Sequence, residues 1–480
     1  MRQTKSARRT ILLTTVLLAF ALAACAARAT EQPAARASDT GNAADSGRPA
    51  QAAAQPAPAA ATPAPTGAEA ASVAAGEVGG KVSAPAVAAA EWPQWRGPNR
   101  DGLVNGVNAP AAWPKELKQN WRVTVGVGHS SPVVSGGRIY QFARQGEDEV
   151  LVALDVVTGK ELWRSAGVAA PYTVNPAASG HGKGPKSTPV VASGRVYTLG
   201  IAGLLSAHDA KTGRLVWRKD FSKQFPATSP LYGTSMSPVV LGDLLVAHVG
   251  GHDGGSLTAF DAATGAVKWS YGADGPAYAS PVVMTIAGER QVVAFTQKEL
   301  VSVSAATGAL LWKLPAKTEY DTNCNTPVVY KDTFVVTLEG QGVVAFRPVR
   351  EGGRWAAREV WRNEENELYM NTPVLHGSTL YGLSARKKGQ FFALDAATGK
   401  TLWQGPGRMG ENASIINVAG TLLALTNDAV LYVLPTGAGS FAPAAQYTVA
   451  TSPTWAHPVF LGDQILVKDE TTLASLSLRQ

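Results

Sequence analysis

The chain has 480 residues, 45% hydrophobic and 16% charged, the composition of a globular protein and not of a disordered one. Its formal charge is +7, but residues 1–24 hold Arg2, Lys5, Arg8 and Arg9 and no acid, so the remainder carries only +3. No basic cluster stands out, which argues against a nucleic-acid partner. With only two cysteines, Cys25 and Cys324, burial and not disulfides must hold the fold together.

Residues 1–24 have the layout of a signal peptide: a basic start, then an apolar run from Ile11 to Leu22, too short for a permanent membrane span. The ending Leu22-Ala23-Ala24-Cys25 resembles a bacterial lipobox, which would make Cys25 the lipidated first residue of the mature chain. Ala26 and Ala27 follow, with no Asp to favour inner-membrane retention. The expected location is therefore the outer membrane of the bacterial cell envelope, facing the periplasm or the cell surface. Residues 25–90 are rich in Ala, Pro and small polar residues and have almost no large apolar side chain. Such a segment cannot bury enough surface to offset its ordering entropy, and it reads as a disordered tether.

From residue 91 the chain becomes repetitive. "LVALDVVTGKELW" ends at Trp163, and related stretches end at Trp217, Trp269, Trp312 and Trp403. Alternating residues, a Thr-Gly turn and a second run ending in Trp predict a β-hairpin. Ahead of each hairpin lies a second marker of the form Ser/Thr-Pro-Val-Val. Its marker positions are Pro132, Pro189, Pro238, Pro281, Pro327, Pro373, Ile415 and Pro458. The interval between successive markers matches the repeat length of a four-stranded propeller blade. Eight markers at that spacing predict eight four-stranded antiparallel blades, an all-β propeller over residues 91–480. The eighth repeat ends one strand short, while a lone strand around Trp121 precedes the first. That N-terminal strand is expected to complete blade eight and close the ring, giving a monomeric propeller.

The pattern Ala-x-Asp-x-x-Thr-Gly-x-x-x-Trp resembles the tryptophan-docking repeat of pyrroloquinoline-quinone (PQQ) propellers. "EWPQWRGPNRDG" at 91–102 resembles the N-terminal signature of bacterial PQQ-like repeat proteins. Repeat five departs from the pattern by lacking Thr-Gly, and repeat seven has Tyr447 in place of Trp. Two functions follow from the resemblance. The first is a lipid-anchored scaffold similar to the BamB-type outer-membrane assembly proteins, with no cofactor and an envelope protein or small ligand as partner. The alternative is a PQQ-dependent dehydrogenase oxidising an alcohol or sugar, with PQQ and calcium.

No catalytic residue or metal ligand set is evident in the sequence. The repeated Asp155, Asp209, Asp261 and Asp395 are turn residues. His181 and His252 lack metal-ligand spacing, and Asp321 and Glu411 stand alone. Strand order places the Thr-Gly turns on one face of the ring and the loops into the innermost strands on the other. Three positions before each marker stand His129, Lys186, Ser235, Tyr278, Cys324, Met370, Asn412 and Trp455. This mixed ring, with neighbours Asn323, Asn325, Asn371 and His457, is the candidate binding mouth. The two longest connections, residues 166–186 and 219–236, belong to the same face, with Tyr172 and Tyr232 available for aromatic contacts.

Overall fold

The computed structural model describes residues 90–479, apart from 105, 108, 111, 225–229 and 273. The signal segment, the lipidation candidate Cys25 and the tether, except Ala90, lie outside the described residues. Among those described, helix is confined to three short 3-10 turns, and no helix is long and apolar enough to cross a membrane.

The strands form eight blades. Blade one consists of Val133–Ser135, Arg138–Gln145, Asp148–Asp155 and Glu161–Arg164, in that order from the innermost strand outward. The innermost strands of blades two to seven are Val190–Ala192, Val239–Leu241, Val282–Ile286, Val328–Tyr330, Val374–His376 and Ala413–Val418. Blade eight takes three strands from the C-terminal end, Val459–Phe460, Gln464–Lys468 and Thr472–Ser477. Its outermost strand is Lys118–Thr124, antiparallel to Thr472–Ser477 with Trp121 opposite Ser475. The ring closes as the sequence predicts, and its apolar core runs unbroken through the closing seam: Leu466 and Leu473 of blade eight share one cluster with Ile139 and Leu154 of blade one and Leu423 of blade seven.

The repeated hairpin is a clasp between blades. In each Asp-x-x-Thr-Gly turn one carboxylate oxygen accepts from the Thr amide and the Thr hydroxyl, as at Asp395 with Thr398, both at 2.8 Å. The glycine that follows has φ near +70°, a conformation that side chains oppose. Its bare Cα is also the platform on which the preceding blade's tryptophan lies. A Cβ on Gly213 would stand 2.4 Å from Trp163, on Gly308 2.6 Å from Trp269, and on Gly399 2.3 Å from Trp361. Trp217, Trp269 and Trp361 also donate their indole N–H to a backbone carbonyl of the next blade, each at 3.1 Å. Trp121 makes the same approach to Gly159 of blade one, so the closing seam repeats the other seams.

The two irregular repeats keep the seam by other means. Blade five has no Thr-Gly glycine, and the Trp312 ring instead stacks on Phe334 at 4.9 Å and 8°, with Phe346 behind it. Tyr447 of blade seven donates its hydroxyl to Pro114 O at 2.6 Å, in the segment leading to the closing strand. Gly399→Ala should therefore cost about 2 kcal/mol or more, because both its φ and the indole above it resist a methyl group. Thr398→Ala, which removes only the turn hydrogen bonds of its hydroxyl to Asp395 and the Lys400 amide, should cost about 1 kcal/mol. Chemical denaturation of the two variants checks the order.

Candidate functional site

The Ser or Thr before the marker prolines of blades one to six builds an inner collar. The amide at this position bonds to the hydroxyl of its neighbour in the next blade: Ser131 to Thr188 (3.1 Å), Thr188 to Ser237 (2.9 Å), Ser237 to Ser280 (2.9 Å), Ser280 to Thr326 (2.9 Å) and Thr326 to Thr372 (3.2 Å). His457, which occupies the position in blade eight, bonds through its amide to the Ser131 hydroxyl at 2.8 Å. The collar fixes where the next residues outward stand, and these frame a central pocket.

All eight residues three before the markers line that pocket: His129, Lys186, Ser235, Tyr278, Cys324, Met370, Asn412 and Trp455. Asn371 and His457 join them. Asn323 and Asn325 do not. They line a separate side cavity, and their amides are spent on backbone: Asn323 donates to Ala316 O at 2.6 Å and Asn325 to Asn371 O at 2.7 Å. These two asparagines order the loops and do not face the central pocket. The pocket encloses about 830 Å³ of open volume, the solvent at its mouth included.

The repeat spacing does not place the floor of the pocket. Residues 92–104 cross the channel, pairing with one innermost strand after another. Trp92 pairs with Val134 of blade one, Pro93 O accepts from Val191 of blade two, and Leu103–Val104 run parallel to Asn417–Val418 of blade seven. Arg96 donates to Pro373 O at 2.6 Å, and Arg100 to Pro238 O at 2.9 Å and Ser237 O at 3.0 Å. Both guanidiniums lie against the Trp95 ring, at 5.4 and 5.7 Å from its centroid, and Trp95 faces the pocket. Burial lowers Arg100 to about 9 and Arg96 to about 10, with Asp101 pulling Arg96 the other way. A cluster of Trp, Arg and Gly just ahead of the first repeat was the available signal for this crossing.

The described parts of the two long loops form the roof. His181, in the first, contacts the Trp455 ring at 4.7 Å and the Tyr232 ring of the second loop at 4.8 Å. Tyr232 reaches Tyr278 at 5.3 Å between rings, and its hydroxyl lies 3.2 Å from that of Tyr369. An aromatic bridge thus spans the mouth from blade eight to blade six. Tyr172 does not line the pocket. Its hydroxyl lies within reach of Pro230 O and Leu231 O and latches one loop to the other.

Among the described residues, Lys186 is the one charged side chain in the lining, and there is no carboxylate. Burial lowers its ammonium to about 7, with Glu149 opposing. Burial likewise lifts Glu149 to about 7 and holds the imidazoles neutral: His457 falls to about 3, His181 to about 4, and His129 well below its usual value. Cys324 is pushed up to about 12 and is a thiol, not a thiolate. The buried Nε2 of His129, Nε2 of His457 and Oδ1 of Asn412 have no partner among the described residues.

The donor set tests the PQQ and calcium pair that the resemblance raised. Calcium takes several oxygen ligands, carboxylates foremost. The lining offers hydroxyl and amide oxygens but no carboxylate, and among the described residues no group of three or more His, Cys, Asp or Glu could hold a metal ion. The calcium half of the pair does not fit this pocket.

Comparison with known proteins agrees with the propeller fold. The outer membrane protein assembly factor BamB of Shewanella oneidensis is 28% identical over 254 residues, 50% of this chain and 61% of that protein. The chain thus spans about three-fifths of that relative. BamB from Moraxella catarrhalis superposes with a TM-score of 0.54 at 13% identity, covering 75% of this chain and 97% of that one, a likeness of fold. The quinohemoprotein alcohol dehydrogenase from Comamonas testosteroni superposes with a TM-score of 0.57 at 14% identity, covering 81% and 80%, a likeness of fold alone. The family described as outer membrane protein assembly factor BamB matches residues 111–180 and 147–405, more than half of the chain, and the chain belongs to it.

Proposed function

We propose that the chain is a lipid-anchored scaffold of the cell envelope that takes part in outer-membrane protein assembly. The observation that carries this reading is the family match on a ring whose channel is crossed by its own N-terminal segment. The ring is closed, and its loops vary from blade to blade on the pocket face. That face also exposes Tyr320 and Tyr369, at 62% and 42%, and the basic turn Arg386–Lys388. Tyrosine and arginine are the residue types that anchor protein partners. The Thr-Gly face, by contrast, is committed to blade-to-blade clasps. Anchoring would come from Cys25, whose acyl chains hold the protein at the membrane while residues 26–90 let the ring reach a partner.

Fractionation tests the anchor: Cys25→Ala should move the protein from the membrane pellet to the soluble fraction. Retention of the variant in membranes at high salt contradicts lipid anchoring. Co-isolation of the full-length protein with envelope components tests the scaffold. Tyr369→Ala combined with Arg386→Glu should weaken partner capture by about 1–3 kcal/mol per anchor, and Thr398→Ala on the opposite face should leave capture intact.

A further inference from the structure

We propose that the central pocket is a binding site for a small aromatic carboxylate. The one charged side chain in its described lining is cationic, and more cations stand behind the walls, countered only from outside the lining by Glu149 near Lys186, Asp101 near Arg96, and Asp469 and Glu470 near Lys468. Lys186 stands in the wall, and Lys468 lies buried behind His129, held by Gly128 O at 3.1 Å and Glu470 O at 3.0 Å. Arg96 and Arg100 lie beneath the Trp95 floor. Both guanidiniums spend their donors on backbone carbonyls, so their charge is not cancelled by an ion pair. Among the described residues, no carboxylate faces the cavity from any blade. A site so arranged favours an anion and rejects a cation.

The walls specify the rest of the ligand. Trp95 below, and Trp455, His181, Tyr232 and Tyr278 around and above, present ring faces and edges to one space. Flat apolar groups pack best against such a lining. Polar atoms at the edge are left without partners although they are buried. Asn412 is 5% exposed and its Oδ1 is unsatisfied, as are Nε2 of His129 and of His457. Buried polar groups are ordinarily paired, and each orphan marks a place for a ligand atom or an ordered water. Lys186 reaches only the weak carbonyl contacts of its own loop, Gly182 O at 3.3 Å and Gly184 O at 3.4 Å. Its ammonium is therefore available to a carboxylate, and a neutral His129 or His457 can donate beside it.

This site is independent of the scaffold reading: it needs only the pocket, whatever partner docks on the surrounding face. Titration calorimetry and tryptophan fluorescence of the full chain with indole-3-acetate test it directly, against acetate, indole-3-acetamide and tryptamine. Indole-3-acetate should bind and perturb the fluorescence. The uncharged amide and the ring-less acetate should each bind at least about tenfold more weakly, and tryptamine should not bind. Lys186→Gln should weaken indole-3-acetate to the level of the amide, and Trp455→Ala should weaken amide and acid alike. The comparison of four ligands on the unaltered protein needs no variant to fold. No binding of indole-3-acetate, or equal binding of acid, amide and amine, overturns the proposal.

Discussion

Removing residues 1–127 is expected to abolish the stable folded ring, while removing only 26–89 leaves the melting temperature within a degree or two. The longer cut takes away Lys118–Thr124, the outermost strand of blade eight, and with it Trp121 and its approach to Gly159. Blade eight would then have an open edge and no clasp to blade one, the arrangement that invites aggregation. An intermediate cut, ending at residue 104, separates closure from the channel crossing. It removes the fully buried Trp92 and the anchors Arg96 and Arg100 but leaves the closing strand. Loss of one buried Trp costs about 3–5 kcal/mol, and the melting temperature should fall by on the order of 10 °C for the segment as a whole. Thermal unfolding of the three truncations, followed by circular dichroism, checks the order. Equal stability of the first two excludes closure by the N-terminal strand.

Acidification should destabilise the ring steeply between pH 6.5 and about 4. His129, His181, His248 and His457 are all held below their usual value by burial, His181 and His248 to about 4 and His457 to about 3. In the unfolded chain these imidazoles take up protons near pH 6.5, so the unfolded state binds more protons throughout that window and stability falls with pH. Glu149 acts in the opposite sense: with its carboxyl raised to about 7, the folded state takes up a proton first between pH 7 and 4.5. With His208, which burial lowers as well, five groups outweigh one. Each contributes at most about 1.4 kcal/mol per pH unit, and solvent screening reduces the share of His181, so the net slope is on the order of 1–3 kcal/mol per pH unit. On the alkaline side, Lys186 at about 7 and Lys468 at about 8 make stability rise further as pH climbs toward the unfolded lysine value. The optimum should therefore lie above pH 8, and urea midpoints measured from pH 4 to 9 report it. A plateau between pH 5 and 7 contradicts the buried neutral histidines.

The parts of the fold that repeat were legible because each copy obeys local chemistry. Asp395, Thr398 and Gly399 announce a turn wherever they occur, and Trp403 announces the strand that follows. Counting markers gave eight blades, and the missing strand at one end matched the extra strand at the other. Site residues were legible only as positions. Register relative to the marker proline put Lys186, Tyr278 and Trp455 around one axis, because every innermost strand starts there. Asn323 and Asn325 misled, since these two sit one step to either side of Cys324, line the side cavity and bond to backbone, whereas Asn371, one step after Met370, does line the pocket. Trp95, Arg96 and Arg100 were not assigned because the partners of the two arginines, Pro373, Ser237 and Pro238, belong to distant blades and no local pattern pairs them. His181 entered the pocket through the path of a long loop, which spacing does not encode.

The central claim is the proposed binding-scaffold role, set against the PQQ-dependent dehydrogenase alternative. Isolation of the full-length, membrane-extracted protein, followed by incubation with PQQ and calcium, tests both halves in one preparation. Outer-membrane assembly components should co-purify with it and be lost in the Tyr369→Ala, Arg386→Glu variant, and no alcohol or sugar should be oxidised. Quinone absorbance retained on the protein with turnover of an alcohol, and no envelope partner in the same preparation, would contradict the claim.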